Sequence, residues 1–391
     1  MTERLYYHDA YSKNFRARVV EAADSGRRVY LDRTFFYPTS GGQPYDLGTL
    51  GGQRVVEVVD EEDRISHILE RPLSAEHLNA EIEGEVDWNR RFDFMQQHTG
   101  QHLLSAVLAD LYDIPTLGFH MGDLASTIEV GAASIDSKRI DQAEERCAQI
   151  VGEARPVLAT FEDANADLGL RKASERTGTL RIISIEGIDR SACGGTHVRT
   201  TAEIGPVLIR KQDKVRGNVR LEFVCGLRAL RRARADFRAL TDISRSFSIP
   251  IEDTPAFAAG QIEKIKGLEK HSQRLGMELA QREGRERYAS TAPDADGIRC
   301  VIDHVAIDDV TRTLAQAFVA GGKAIFLAVS KDPPSVLLAS SADSGVNAGA
   351  QVKSAVTAAG GRGGGNSSLA QGSVPDAEGL DAVVKAILPG R

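Results

Sequence analysis

Cysteine is scarce in this chain: four in 391 residues, Cys147, Cys193, Cys225 and Cys300. Spacing this wide supports no disulfide framework, so a reducing cytoplasm is the expected setting. Long apolar runs are missing too. Nothing approaches the roughly 20 residues needed to cross a bilayer, and no membrane partner is expected. Met1-Thr2-Glu3-Arg4 lacks the basic-then-apolar order of a secretory leader. Nor is positive charge in excess, because 48 Lys and Arg stand against 55 Asp and Glu, a formal net charge of −7. Any contact with nucleic acid must therefore come from local basic surface rather than a whole-protein field. The 42% of hydrophobic residues is ordinary for a globular protein, and the length suggests two or three domains.

Histidine is scarce as well, at nine, which gives weight to two spaced pairs. His98 and His102 lie four apart in a segment with helical periodicity, so both imidazoles fall on one face, one turn apart. Cys193 and His197 share that spacing, but Gly194-Gly195 between them implies a tight turn. Three imidazoles and one thiolate suit tetrahedral Zn²⁺ better than Mg²⁺ or Ca²⁺. A zinc protease would need Glu directly after His98; Thr99 stands there, which speaks against that chemistry.

Residues 1 to 88 alternate in short β-patterned runs. Within them, the stretch from Thr34 through Ser40-Gly41-Gly42-Gln43 to Gly48 reads as a long β-connection or as a loop that lets backbone approach a ligand. Residues 89 to 113 read as a helix stopped by Pro115, residues 119 to 122 as a turn, and 137 to 152 as a second helix. A strand from Leu180 delivers the chain to Cys193, and a hairpin turns at Arg216-Gly217. Residues 226 to 296 read as a helical hairpin linker, arginine-rich at first and then striped with Ile262, Ile265, Leu268, Leu275 and Leu279. From 297 strands and helices alternate. The glycine-rich run from Gly360 to Asn366 follows a helix and lacks a closing Gly-Lys-Ser/Thr, so it is no nucleotide P-loop, although its amides and Arg362 offer a cradle for one phosphate.

The run Gln97-His98-Thr99-Gly100-Gln101-His102, with Cys193-Gly194-Gly195-Thr196-His197 downstream, resembles the editing domain of alanyl-tRNA synthetases, and more closely their free-standing relatives, the AlaX proteins. Thr34 to Gly48 is similar to the glycine-rich motif of the longer AlaX forms, with Ser40 where a third glycine is usual. Gly360 to Gly372 is similar to the glycine-rich loop of the DHHA1 domain. The resemblance implies an α+β chain with a β-rich subdomain (1–88), a zinc-containing editing domain (89–225), a helical linker (226–296) and a C-terminal α/β DHHA1-like domain (297–391). It implies a trans-editing hydrolase that clears serine, and by extension glycine, from mischarged tRNA(Ala). Zn²⁺ would be held by His98, His102, Cys193 and His197. Thr34 matches a threonine at the amino-acid pocket, and Asn218 an asparagine facing the substrate. His120 and Asp189 are candidate partners that fix an imidazole tautomer. A homodimer through the C-terminal region is a further expectation. Two rivals fall outside this reading. A DHHA1-type phosphoesterase would need an aspartate-rich metal domain ahead of residue 297, which is lacking. A non-catalytic RNA-binding module with a structural zinc site looks the same in residue types.

Overall fold

In the computed structural model, described for residues 1–173, 175 and 177–388, the chain forms two units, Met1–Ser246 and Phe247–Arg391. The first begins with β1 (Glu3–Arg4), followed by β2 (Asn14–Ala23), β3 (Arg28–Leu31), β4 (Arg33–Thr34), β5 (Gly48–Leu50), β6 (Gln53–Glu61), β7 (Arg64–Leu69) and β8 (Glu81–Val86). Six of these close into a barrel in the order β2-β3-β7-β6-β5-β8, while β1 pairs in parallel with β4. Ala17 and Val19 face inward at the two-residue period of a strand. In β6 the inward residues are Val55 and Val58, three apart, because a bulge between Val55 and Glu57 shifts the register. Gly48 is required where β5 meets β8, since a Cβ there would lie 2.0 Å from the Glu85 carbonyl oxygen.

The barrel hands the chain to α1 (Trp88–Tyr112), the axis of the first unit. Asp87 caps it, accepting from the N–H groups of Asn89 and Arg90. Asp113 closes it in the left-handed conformation just ahead of Pro115. Every residue from Phe94 to Leu108 is buried. A helix enclosed on all sides must satisfy its polar side chains internally. Gln97 does so by donating to the Cys225 carbonyl and accepting from the Cys225 N–H, and Arg91 by pairing with buried Asp46.

Around α1 lie β9 (Thr116–Met121), β10 (Ser126–Val130), α2 (Ser137–Gly152), β11 (Val157–Asp163), β12 (Thr179–Ile185), β13 (Asp189–Ala192), β14 (Val207–Val215), β15 (Asn218–Cys225) and α3 (Gly226–Ser246). One sheet has the order β14-β15-β10-β9 and the other β11-β12-β13. Leu103, Leu104, Val107 and Leu108 of α1 pack with Ile128, Leu221 and Phe223 of the first sheet and Cys147 and Ile150 of α2.

The second unit contains α4 (Thr254–Ser290), β16 (Arg299–His304), α5 (Asp309–Val319), β17 (Ala324–Lys331), β18 (Pro334–Ser340), α6 (Ala348–Ala358), β19 (Arg362–Gly365), β20 (Leu369–Ser373) and α7 (Ala377–Ile387). Its sheet has the order β16-β17-β18-β20-β19. The apolar run of β17 is explained by cover on both faces. Ile325, Leu327 and Val329 pack with residues of α6 and α7, whereas Phe326 and Ala328 pack with Leu314 and Phe318 of α5 and Ala280 of α4. The α+β character and the helix at 89–113 agree with the sequence reading.

Three local expectations are corrected. Residues 119–121 belong to strand β9 rather than a turn, because Phe119 and Met121 alternate with exposed His120 and pair across to β10. The turn itself lies at Gly122, whose N–H donates to the Ala125 carbonyl. Residues 362–365 form the edge strand β19, paired with β20, rather than an open loop. Gly363 and Gly365 fit there because a Cβ on either would collide with the neighbouring strand. Strand β13 also intervenes between β12 and Cys193.

Candidate metal centre

Buried side by side, His98 and His102 project from one face of α1, as their spacing requires. Cys193 and His197 approach from the turn after β13. The four potential donor atoms all lie within 4.8 Å of one another. Cys193 Sγ is 3.4 Å from Nε2 of both His98 and His197.

The outward nitrogen of each imidazole is held by a separate group. His98 Nδ1 lies 2.8 Å from Gln43 Oε1, an oxygen that accepts, so the ring proton resides on Nδ1. His102 Nδ1 donates to the Asp189 carboxylate at 2.9 Å. His197 Nδ1 lies 3.1 Å from Thr99 Oγ1, whose own hydroxyl proton goes to the Met95 carbonyl, so His197 must donate as well. All three tautomers therefore present an Nε2 lone pair to one point, beside one sulfur. This donor set fits a tetrahedral, borderline-soft ion such as zinc, with the outer partners that such ligands require.

Electrostatics point the same way. Burial would raise the Cys193 thiol, yet the facing His98 and His197 and hydrogen bonds from His102 and His197 hold it well below the ordinary thiol value. Burial opposes a charge on His102, but its hydrogen bonds to Asp189 and Cys193 raise it to about 9, so a metal bound at its Nε2 would displace a proton from that nitrogen. His197 is pushed down to about 3, first by burial and then by His98. Arg171 anchors Asp189 from the other side at 2.7 Å.

The Cys-Gly-Gly turn is fixed by Arg181, which donates to the carbonyls of Cys193 at 2.8 Å and Gly195 at 2.9 Å. Gly195 admits no side chain, because a Cβ would sit 2.1 Å from His98 Cε1. A cleft of about 390 Å³ opens over the cluster, walled by Tyr7, Ser40, Gln101, Thr116, Phe119 and Lys172 among others. Cys193 is the one donor of the four that is only half-buried, and it lines this cleft. Gln101 donates through Nε2 to Ser105 Oγ at 2.8 Å, which fixes the orientation of its amide.

The other sequence-predicted residues take different places. Asp189 joins the centre through His102. Thr34 is sealed in the barrel region, where its hydroxyl meets His67 Nε2 at 2.9 Å and accepts from the Phe36 N–H at 3.1 Å. Asn218 begins β15 and donates to Glu129 at 3.2 Å. His120 is exposed on β9 opposite Thr127. None of these last three lines the cleft over the cluster. Conversely, Gln43, Thr99 and Arg181 serve the centre although the sequence did not single them out. Gln43 and Thr99 do fall inside the recognised motifs, and that is the one signal that could have found them.

Residues 180–222 match the threonyl and alanyl tRNA synthetase second additional domain, and residues 301–388 match the DHHA1 domain. Alanyl-tRNA editing protein AlaX-L of Pyrococcus horikoshii is 31% identical over 96% of this chain and 95% of its own length. The alanine–tRNA ligase of Pyrococcus abyssi is 32% identical over 99% of this chain, which spans 44% of the ligase. Alanyl-tRNA editing protein Aarsd1 of Mus musculus is 30% identical over 61% of this chain and 63% of its own. At 31% identity to AlaX-L over nearly the whole of both lengths, and with a DHHA1 domain at residues 301–388, the chain belongs to the AlaX-L family.

Proposed function

We propose that this protein is a trans-acting aminoacyl-tRNA deacylase that cleaves the ester joining serine to the terminal adenosine of mischarged tRNA(Ala), and that it holds one zinc ion for the purpose. Glycine, smaller than alanine, is the second cargo to be tested. The observation that carries this reading is the convergence of three Nε2 atoms, each with its Nδ1 committed elsewhere, and one sulfur at the floor of a polar cleft. Relatives named as alanyl-tRNA editing proteins support the substrate class, and the near-complete match to AlaX-L supports action in trans.

A zinc ion held by His98, His102, Cys193 and His197 would supply Lewis acidity toward an ester carbonyl or an attacking water. The chain's own residues prepare the site. Gln43, Asp189 and Thr99 fix the three rings, so little reorganisation is left for the reaction. Gln101, its Nε2 held by Ser105, directs its carbonyl oxygen to accept from the substrate's hydroxyl or ammonium group. A site built to pair with a hydroxyl rejects the analogue lacking it by about 10⁴–10⁵. Lys172 at the wall offers charge to the nucleotide, Arg171 beside it being paired with Asp189. Thr34, Asn218 and His120 receive no part in this scheme. In the same reading residues 226–296 connect the editing region to a DHHA1-like region, 297–391, that grips the tRNA body and pairs two copies of the chain.

A second reading, a structural zinc site in a non-catalytic RNA-binding protein, draws on the same four donors, which by themselves complete a tetrahedral shell. Release of labelled serine from seryl-tRNA(Ala) separates the two, with alanyl-tRNA(Ala) and seryl-tRNA(Ser) as controls. Hydrolysis of the mischarged species alone, abolished in His102→Ala, is the expected result. No release by a folded, zinc-loaded parent would leave the structural reading.

A further inference from the structure

A second cleft of the first unit, about 770 Å³, is separate from the metal centre. Its walls are the first turns of α1, the turn after β9 and the start of α3, with Trp88, Phe92, Leu124, Arg228 and Arg231 among the lining residues. The two aromatic rings lie 5.6 Å apart and are only partly buried, and Leu124 is 90% exposed. This surface combines flat apolar rings with cations.

Its charge runs against that of the protein. Helix α3 carries six arginines against two aspartates, a net +4 within a chain of net −7. Three arginines of the cleft are already committed, Arg232 among them through Asp236 at 3.2 Å. Arg228 pairs with Asp93 at 2.5 Å and donates to the Gly122 carbonyl at 2.7 Å, and Arg90 pairs with Asp123 at 3.1 Å. These pairs brace the walls. Arg231 is exposed and has no carboxylate partner among the described residues, so its charge is available to a ligand.

Helix α1 ties this cleft to the metal centre. Phe92 precedes His98 by six residues, about 9 Å along a helix axis. Stacked nucleotides rise about 3.4 Å each, so a strand whose terminal residue occupies the metal cleft reaches the level of Phe92 in roughly three steps and that of Trp88, about 15 Å away, in roughly four to five.

Resting on the proposed tRNA substrate, we propose that this cleft holds the nucleotides immediately 5′ of the reacting aminoacyl-adenosine, with a base stacked on Trp88 or Phe92 and a phosphate on Arg231. Aromatic platforms flanked by cations are the general means of holding single-stranded RNA without reading its sequence.

Trp88 is the single tryptophan of the chain, so its fluorescence reports occupancy directly. The probe is deacylated tRNA(Ala), alongside an unacylated RNA hairpin with a short 3′ overhang, titrated into the intact protein. Quenching of Trp88 is expected with both. Arg231→Glu should weaken binding on the order of tenfold, and Arg231→Ala should lower the salt slope by about 0.7. In hydrolysis, Arg231→Glu should raise KM for seryl-tRNA(Ala), leave kcat unchanged, and leave cleavage of 3′-O-seryl-adenosine at the parental rate. RNA binding without a change in Trp88 emission, or parental affinity in Arg231→Glu, would overturn the assignment. If Trp88 quenching depends on Arg231 while the parent hydrolyses no seryl-tRNA, the cleft stands and the editing reading falls. Failure of the parent to bind RNA would remove both.

Discussion

The Thr34–His67 pair makes the stability of the first unit depend on pH. His67 is fully buried, with Nδ1 donating to the Val29 carbonyl at 3.1 Å and Nε2 accepting from the Thr34 hydroxyl. Burial holds its pKa down from 6.5 to about 4, against the smaller opposing effect of the Val29 bond. The unfolded chain therefore binds more protons than the folded one between these values. Stability contributed by neutral His67 is complete above pH 6.5 and is lost as pH falls toward 4. The full shift corresponds to about 3 kcal/mol, of which about 2 kcal/mol is lost between pH 7.5 and 5. Urea unfolding followed by Trp88 emission reads the unit that contains the pair. Other groups titrate in this range, so the informative quantity is the difference between the parent and His67→Asn. That difference should shift by about 2 kcal/mol against the parent between pH 7.5 and 5. A pH-independent difference would refute the argument.

Thr34→Val should lower stability at neutral pH by about 1–3 kcal/mol, because it leaves both His67 Nε2 and the Phe36 N–H unpaired; urea midpoints of zinc-loaded protein test this. Asp189→Asn keeps an acceptor near His102 but removes the charge, and competition with a chelator should show zinc held about 10–100-fold more weakly. Gly195→Ala should fold but bind less than one zinc per chain by elemental analysis, since its Cβ displaces the His98 ring. Chelation should abolish deacylation and added Zn²⁺ should restore it; activity that survives full metal removal, verified by elemental analysis, would sink the metal-dependent mechanism.

The sequence by itself determined the donor set. Spacing four on a helix places His98 and His102 together whatever surrounds them, and the Gly-Gly between Cys193 and His197 announces a turn. It also showed α1, stopped by Pro115, and the β character of residues 1 to 88, whereas its cap, Asp87, came from the structure. These are short-range properties, decided by periodicity and by which backbone angles a residue tolerates. Barrel closure was not legible, because strand order is a long-range pairing and the bulge in β6 breaks the alternation that would reveal which face is inward. The glycines of β19 read as a loop because glycine permits one; neighbouring β20 makes them a strand.

Tertiary structure alone decided how the donors are aimed. Gln43 is 55 residues from His98, and no local pattern could connect them; Asp189 was a candidate partner from the start, but only packing joins it to His102, 87 residues away. The same folding sealed Thr34 into the barrel region beside His67, although its motif suggested a substrate-facing role. A side chain's chemistry is written in the sequence; the lone pair it presents, and to what, depends on partners that meet only when the chain is packed.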